Sequence, residues 1–127
     1  MGGTGALAVG VALSPTWMRG DGWRRPDSRV EELFALPLFA DLAREAEAVG
    51  ADFLFQPDAG HLDPTVLDAS PGFSTFDSTV LTAALAGITR RIGLVPTVQT
   101  GFAEPFTAAR QLQSLHRISG DARGGTS

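Results

Sequence analysis

The sequence predicts an α/β fold in which three successive βα units build a parallel sheet. Three apolar runs, at residues 6–13, 51–56 and 92–98, are continuous rather than alternating, the pattern of strands covered on both faces. Each run is followed, after a loop, by a segment whose apolar residues recur at helical spacing. Doubly wound sheets and TIM barrels share this alternation, and both place their chemistry on the loops after the strands. The informative residues are therefore expected after Leu13, Gln56 and Val98.

The first strand is ALAVGVAL, and Gly2-Gly3-Thr4-Gly5 precedes it rather than following it, so these glycines cannot form a phosphate-cradling turn. They read as a flexible N-terminus. No basic region precedes the apolar run, which argues against a signal peptide. A long polar loop, 14–29, carries Trp17, Trp23, Arg24, Arg25 and Pro26. Over 37–49, Leu38, Phe39, Leu42, Ala43, Ala46 and Val49 recur at three- and four-residue steps, with Asp41, Arg44, Glu45 and Glu47 between them, and Gly50 closes the helix. The second strand ends in Pro57-Asp58-Ala59-Gly60, and a loop rich in Gly, Pro, Asp and Ser runs to about residue 75. Asp77 or Ser74 caps the second helix, whose apolar face is Val80, Leu81, Ala84, Leu85 and Ile88 and whose negative end is met by Arg90 and Arg91. The third strand, IGLVPTV, leads to a helix opened by Pro105 and running to about Leu115.

Composition removes several functions. Ten basic residues against fourteen acidic ones give a net charge of −4, which is no footprint for nucleic acid or an anionic membrane. No apolar stretch reaches the ~20 residues of a membrane span. Cysteine is absent, so thiolate metal sites and cysteine nucleophiles are excluded, and His61 and His116 are too far apart in sequence to suggest a histidine metal site. All ten basic residues are arginine, and lysine, asparagine and tyrosine are missing, the mark of a GC-rich gene.

Asp58 ends a strand where functional carboxylates of α/β proteins sit, although aspartate is also a common turn former. His61 is either a general base or a solvated loop histidine. Alternation puts Thr97 and Gln99 on one face at the end of the third strand, where they either hydrogen-bond a flat polar ligand or line a wet mouth. Trp17, Trp23 and Phe102 wall a planar ligand or pin a loop. Arg24 and Arg25 meet an anion or pair with Asp21 and Asp27.

In order and spacing these segments resemble the bacterial-luciferase-like flavin-dependent monooxygenases, in the branch of nitrilotriacetate monooxygenase component A and the dibenzothiophene-sulfone monooxygenases. Trp23-Arg24-Arg25-Pro26-Asp27-Ser28 is similar to that family's WRxPDS loop. Leu42-Ala43-Arg44-Glu45-Ala46-Glu47 leading to Asp52-Phe53-Leu54-Phe55-Gln56-Pro57-Asp58 is similar to its LAxxAE…FDAVFLAD. The likeness continues through Ala83-Ala84-Leu85-Ala86, Arg91-Ile92-Gly93-Leu94-Val95-Pro96-Thr97 and Glu104-Pro105-Phe106, and covers residues 6–120. It implies the N-terminal three βα units of a TIM-type (β/α)8 barrel, incomplete in this chain. It also implies a cytoplasmic, homo-oligomeric enzyme taking reduced FMN from a separate NAD(P)H:FMN reductase and transferring one oxygen atom of O2 to a small organic substrate. The chemistry belongs to the cofactor. By that resemblance Asp58, Thr97 and Gln99 are the cofactor-binding residues: Asp58 matches the aspartate ending the second strand near the flavin ring, and Thr97 and Gln99 match polar positions ending the third. Gln99, Phe102 and Ala103 stand where relatives often carry Ser, Tyr and Asn, so pocket or flavin contacts are expected to differ.

A TIM barrel takes about 250 residues. Relatives continue after Ser119-Gly120 as SGGRAGWNV, and residues 120–127, written in GC-rich codons, spell GRAGWNV in another frame. Residues 121–127 are accordingly expected to be an out-of-frame tail, a matter that resequencing decides. The three units alone are expected to leave Val9, Val11, Phe53, Phe55 and Leu94 facing water in place of the missing strands, and to be inactive. The rival expectation is a small non-enzymatic α/β binding module.

Overall fold

A computed structural model describes residues 5–14, 22–60, 64–66 and 76–120; Trp17, Asp21, His61, Ser74 and the 121–127 tail lie outside the described residues. The elements run β1 (Gly10–Ala12), α1 (Leu36–Ala48), β2 (Phe53–Gln56), α2 (Ser78–Ala86), β3 (Gly93–Pro96) and α3 (Pro105–Gly120), with short 3-10 turns at Gly22–Arg24, Val30–Glu32 and Pro64–Val66. The three strands form one sheet in the order β1-β2-β3, both pairs parallel. Strand order following chain order, with a helix between each pair, is the βα alternation that the sequence predicts.

Register decides which side chains share a face. Gly10 pairs with Phe53 and Phe53 with Gly93; Val11, Leu54 and Leu94 form the next row, and Ala12, Phe55 and Val95 the one after. The Leu54 face carries the helices. There Leu13, Leu54 and Ile92 pack with Leu38, Phe39, Ala43 and Ala46 of α1 and with Leu81 and Leu85 of α2. Phe39 is fully buried, and Phe76 meets it edge-on with ring centroids 5.7 Å apart. The opposite face carries Gly10, Phe53, Phe55, Gly93 and Val95. On it the Phe53 ring lies over Gly10, where a Cβ would collide with it, and a Cβ on Gly93 would come 2.9 Å from the Phe53 Cβ. These two glycines make room for one aromatic.

This geometry corrects several expectations. Val11 and Leu94 stand on the opposite face from Phe53 and Phe55, and alternation puts Val9 with them, so these five do not form one inward set. Residues 6–13 do not form a strand buried on both faces. β1 has three residues, all exposed, Val11 among them at 39%, and Val9 just before it is 57% accessible, because an edge strand has a neighbour on one side only. Val80 is 67% exposed instead of lying on the apolar face of α2. The buried stripe is Ser78, Leu81, Thr82, Leu85 and Ala86, and in a helix this apolar all round the sequence period alone cannot choose the stripe. α3 continues past Leu115 to Gly120 with only Leu115 and Ser119 buried.

Two polar joints fix the loops. Glu47, the penultimate residue of α1, accepts the backbone N–H groups of Arg90, Arg91 and Ile92 on a single oxygen at 2.8, 2.5 and 3.0 Å. Burial pushes its carboxyl up, but the three N–H donors outweigh this and hold it below its ordinary value. Because α2 ends at Ala86, Arg90 and Arg91 belong to this joint through their backbones. Arg29, in the left-handed region at φ 54°, grips both oxygens of Glu32 at 2.9 and 2.6 Å and reaches Asp41 at 2.8 Å, tying the turn before α1 to the helix.

Candidate functional site

The C-terminal ends of the strands gather the polar groups. Just beyond β1 the Ser14 hydroxyl oxygen is buried and has no hydrogen-bond partner among the described residues. Beyond β2 and β3 a denser arrangement forms around Ser78, the first residue of α2, which is 1% exposed. Its hydroxyl donates to the Gln56 carbonyl at 3.0 Å and accepts the Thr97 N–H at 2.8 Å. Its own N–H donates to Asp58 Oδ2 at 3.1 Å. The Thr97 hydroxyl donates to the same Gln56 carbonyl at 2.8 Å. One serine thus joins the end of β2, the end of β3 and the start of α2.

Local chemistry explains the arrangement. Asp58 Oδ1 also accepts the N–H of Ala59 at 2.8 Å, the aspartate turn expected of its position, while its other oxygen serves the positive end of α2. Asp77 caps the same helix through the N–H of Val80 at 2.9 Å. After β3 the chain folds over itself, with the Gln99 carbonyl accepting from Phe102 and Ala103, both at 3.0 Å. The Gln99 side chain sits so close to Gly60 that a Cβ there would collide with its amide oxygen and come 2.7 Å from the Phe102 ring. The loops after β2 and β3 therefore touch, and glycine at 60 permits it.

Of the residues singled out in the sequence, Asp58 and Thr97 are joined through Ser78, and Gln99 lies against the neighbouring loop. Ser78 and Gln56 were missed. No periodicity announces a serine at the start of a helix as a bridge between two strands. The arginine loop behaves differently from an anion site: Arg25 forms two hydrogen bonds to Asp27 at 2.8 and 3.0 Å, and Arg24 lies 4.2 Å over the Trp23 ring. The Asp27 partner raises the Arg25 pKa, first through its side-chain hydrogen bond. Phe102 is 82% exposed. Among the described residues there is no cluster of His, Asp or Glu that could hold a metal ion, and no helix long and apolar enough to cross a membrane.

Comparisons with known proteins follow the same geometry. The family model described as luciferase-like monooxygenase matches residues 14–121. N-acetyl-S-(2-succino)cysteine monooxygenase of Bacillus subtilis (strain 168) is 35% identical over 93% of this chain and 26% of its own length. Nitrilotriacetate monooxygenase component A of Aminobacter aminovorans is 30% identical over 98% of this chain and 30% of its own. The solved EDTA monooxygenase of Chelativorans sp. BNC1 is similar at a TM-score of 0.79 and 27% identity, covering 89% of this chain and 27% of that one. A riboflavin lyase solved with modified FMN and riboflavin gives 0.75 and 28%, covering 90% and 28%. The chain spans less than a third of each of these relatives, and supplies three βα units of their TIM-barrel fold. It belongs to the luciferase-like monooxygenase family.

Proposed function

We propose that this sequence is part of an FMN-dependent monooxygenase that places one oxygen atom of O2 on a small organic substrate. The observation that carries the reading is the meeting of Asp58, Thr97 and Ser78 at the C-terminal ends of adjacent parallel strands, the location where barrels of this type build their sites. The residues present suit a polar planar ligand. Among the described residues Ser14 offers a buried hydroxyl oxygen without a partner, the Thr97 hydroxyl acts only as a donor, and Gln99 offers an amide beside Gly60. Asp58, Thr97 and Gln99 are the residues assigned to hold the flavin. When bound, the reduced flavin supplies the electrons and the oxygen-activating chemistry.

This chain's own part is orientation. Ser78 fixes the spacing between the β2 and β3 ends, Asp58 anchors the first turn of α2, and the Gly60–Phe102 contact closes the loops on one side. A partner NAD(P)H:FMN reductase as flavin supplier is supported by the component naming of the Aminobacter relative. Three relatives are named for carboxylate-bearing compounds, so a small polycarboxylate leads the substrate classes, ahead of sulfones, sulfonates and apolar metabolites. A homo-oligomeric, cytoplasmic enzyme completes the reading.

A polypeptide of these 127 residues alone supplies three of the barrel's units and leaves Val11 and Val95 about 40% exposed, so it gives no turnover by itself. The test pairs it with the full-length protein carrying this sequence, each mixed with an FMN reductase, NADH, O2 and a substrate panel led by aminopolycarboxylates. Oxygenated product from the full-length protein and none from the 127-residue chain is the expected result. No product from the full-length protein with any class, or product from the short chain, contradicts the proposal.

A further inference from the structure

The connection between β1 and α1 is built in two blocks. In residues 22–28 the Arg25 N–H donates to the Gly22 carbonyl and the Ser28 N–H to the Arg25 carbonyl, both at 3.1 Å, and the Ser28 hydroxyl donates to the Trp23 carbonyl at 2.7 Å. The Arg25–Asp27 pair closes the same block, yet none of its residues is buried. Residues 29–35 are anchored instead: Leu33 is buried, and Arg29 holds Glu32 and, across to α1, Asp41. The blocks meet at Arg29, which at φ 54° is the one non-glycine residue in the left-handed region among the described residues. A side chain there strains the backbone, and a strained residue held in place by its surroundings marks a functional joint. Because β1 ends at Ala12 and α1 starts at Leu36, the connection stands at the C-terminal end of the sheet, the end that carries Asp58 and Thr97.

We propose that residues 22–28 form a rigid arm that closes over a ligand in the mouth, with Trp23 as the residue that covers the ligand and Arg29 as the positioning residue from which the arm swings. The proposal rests on the flavin reading above. A block braced by its own hydrogen bonds moves as one piece, and a block without buried side chains gives up little packing when it moves. Its charge suits the destination. Arg24 and Arg25 against Asp27 leave the arm at +1, whereas Asp58, Asp77 before α2 and Glu104 before α3 make the rim of the mouth acidic. The indole supplies the flat apolar area that a planar ring requires; Arg24 lies 4.2 Å over it on one face, and the ligand takes the other. That stacking contact exists only with a ligand in place, so ligand binding shifts the arm towards the closed position.

The test follows amide hydrogen exchange over residues 22–35 of the full-length protein, ligand-free and with reduced FMN under anaerobic conditions, together with the rate of FMN release by stopped flow. Bound FMN is expected to slow exchange over 22–28 about tenfold. Trp23→Ala keeps every backbone bond of the arm; it is expected to abolish that slowing and to speed release about three- to tenfold, with thermal stability unchanged. Arg29→Ala unfastens the arm from α1 and is expected to speed exchange over 22–35 in the ligand-free protein; Arg29→Lys, which keeps the charge but not the forked geometry, restores part of the protection. FMN binding with exchange over 22–28 unchanged, W23A releasing FMN at the wild-type rate, or R29A exchanging as the wild type does overturns this inference while leaving the flavin site standing. Failure of the unsubstituted protein to bind FMN overturns the flavin reading and this inference with it.

Discussion

At the scale of single residues, Glu47 shows how much organisation one carboxylate can impose. Its three N–H partners are consecutive and lie more than forty positions away, so they hold the entry to β3 against the end of α1. Replacing it with Ala strips the cap from a segment where Arg90 and Arg91 are exposed and water substitutes in part. The expected cost is therefore about 1 kcal/mol, with up to about 3 if Ile92 N–H stays dry. Glu47→Gln keeps an acceptor and loses the charge. Since the folded-state pKa lies below the ordinary 4.5, the ionised group contributes stability above that value and loses it as pH falls through the folded value. In urea denaturation of the full-length protein, the gap between wild type and E47Q is expected to be widest at neutral pH and to close in acid. A gap that does not change with pH contradicts this. None of it was legible in the sequence, where Glu47 reads as one more charge on the solvent side of an amphipathic helix; only the fold brings residues 90–92 to it.

At the scale of elements, the sequence specifies structure where the local pattern suffices. α1 has a one-sided stripe and ends at Gly50, whose φ of 83° is the left-handed value that favours glycine, and both features stand in the sequence. The cap of α2 was visible as a choice between Asp77 and Ser74, and Asp77 is the residue that accepts the Val80 N–H. The exposed Val80 and the exposed β1 were not, because burial depends on what packs alongside, and an all-apolar segment carries no information about which side that is. The candidate site divides the same way. Asp58 and Thr97 follow from strand ends, whereas Ser78 and Gln56 emerge only when three elements converge. Asp77→Ala is expected to lower stability by about 1 kcal/mol by exposing the Val80 N–H, with little effect on flavin affinity. Thermal unfolding together with an FMN titration checks this; a variant as stable as wild type, or one that loses flavin, contradicts the assignment of Asp77 to capping.

At the scale of the whole molecule, the three units form a sheet with one face under helices and the other bearing Phe53, Phe55 and Val95 around two glycines. In the family's barrel that second face is the interior, which is why continuous apolar strands read as doubly covered while Val95 is here 42% exposed. The polar groups sit where such an interior opens, at the C-terminal mouth. That mouth is the place proposed for the flavin ring. Asp58→Asn keeps an oxygen acceptor for the start of α2 and removes the negative charge, so it separates the cap from the ligand contact better than Ala. The decisive measurement is a fluorescence-quenching titration of FMN into the full-length protein and its D58N and T97V variants, with reduced FMN in an anaerobic series. Saturable binding by the wild type, weakened about threefold or more for the reduced form in both variants, is the expected result; wild-type affinity in both variants would place the flavin elsewhere.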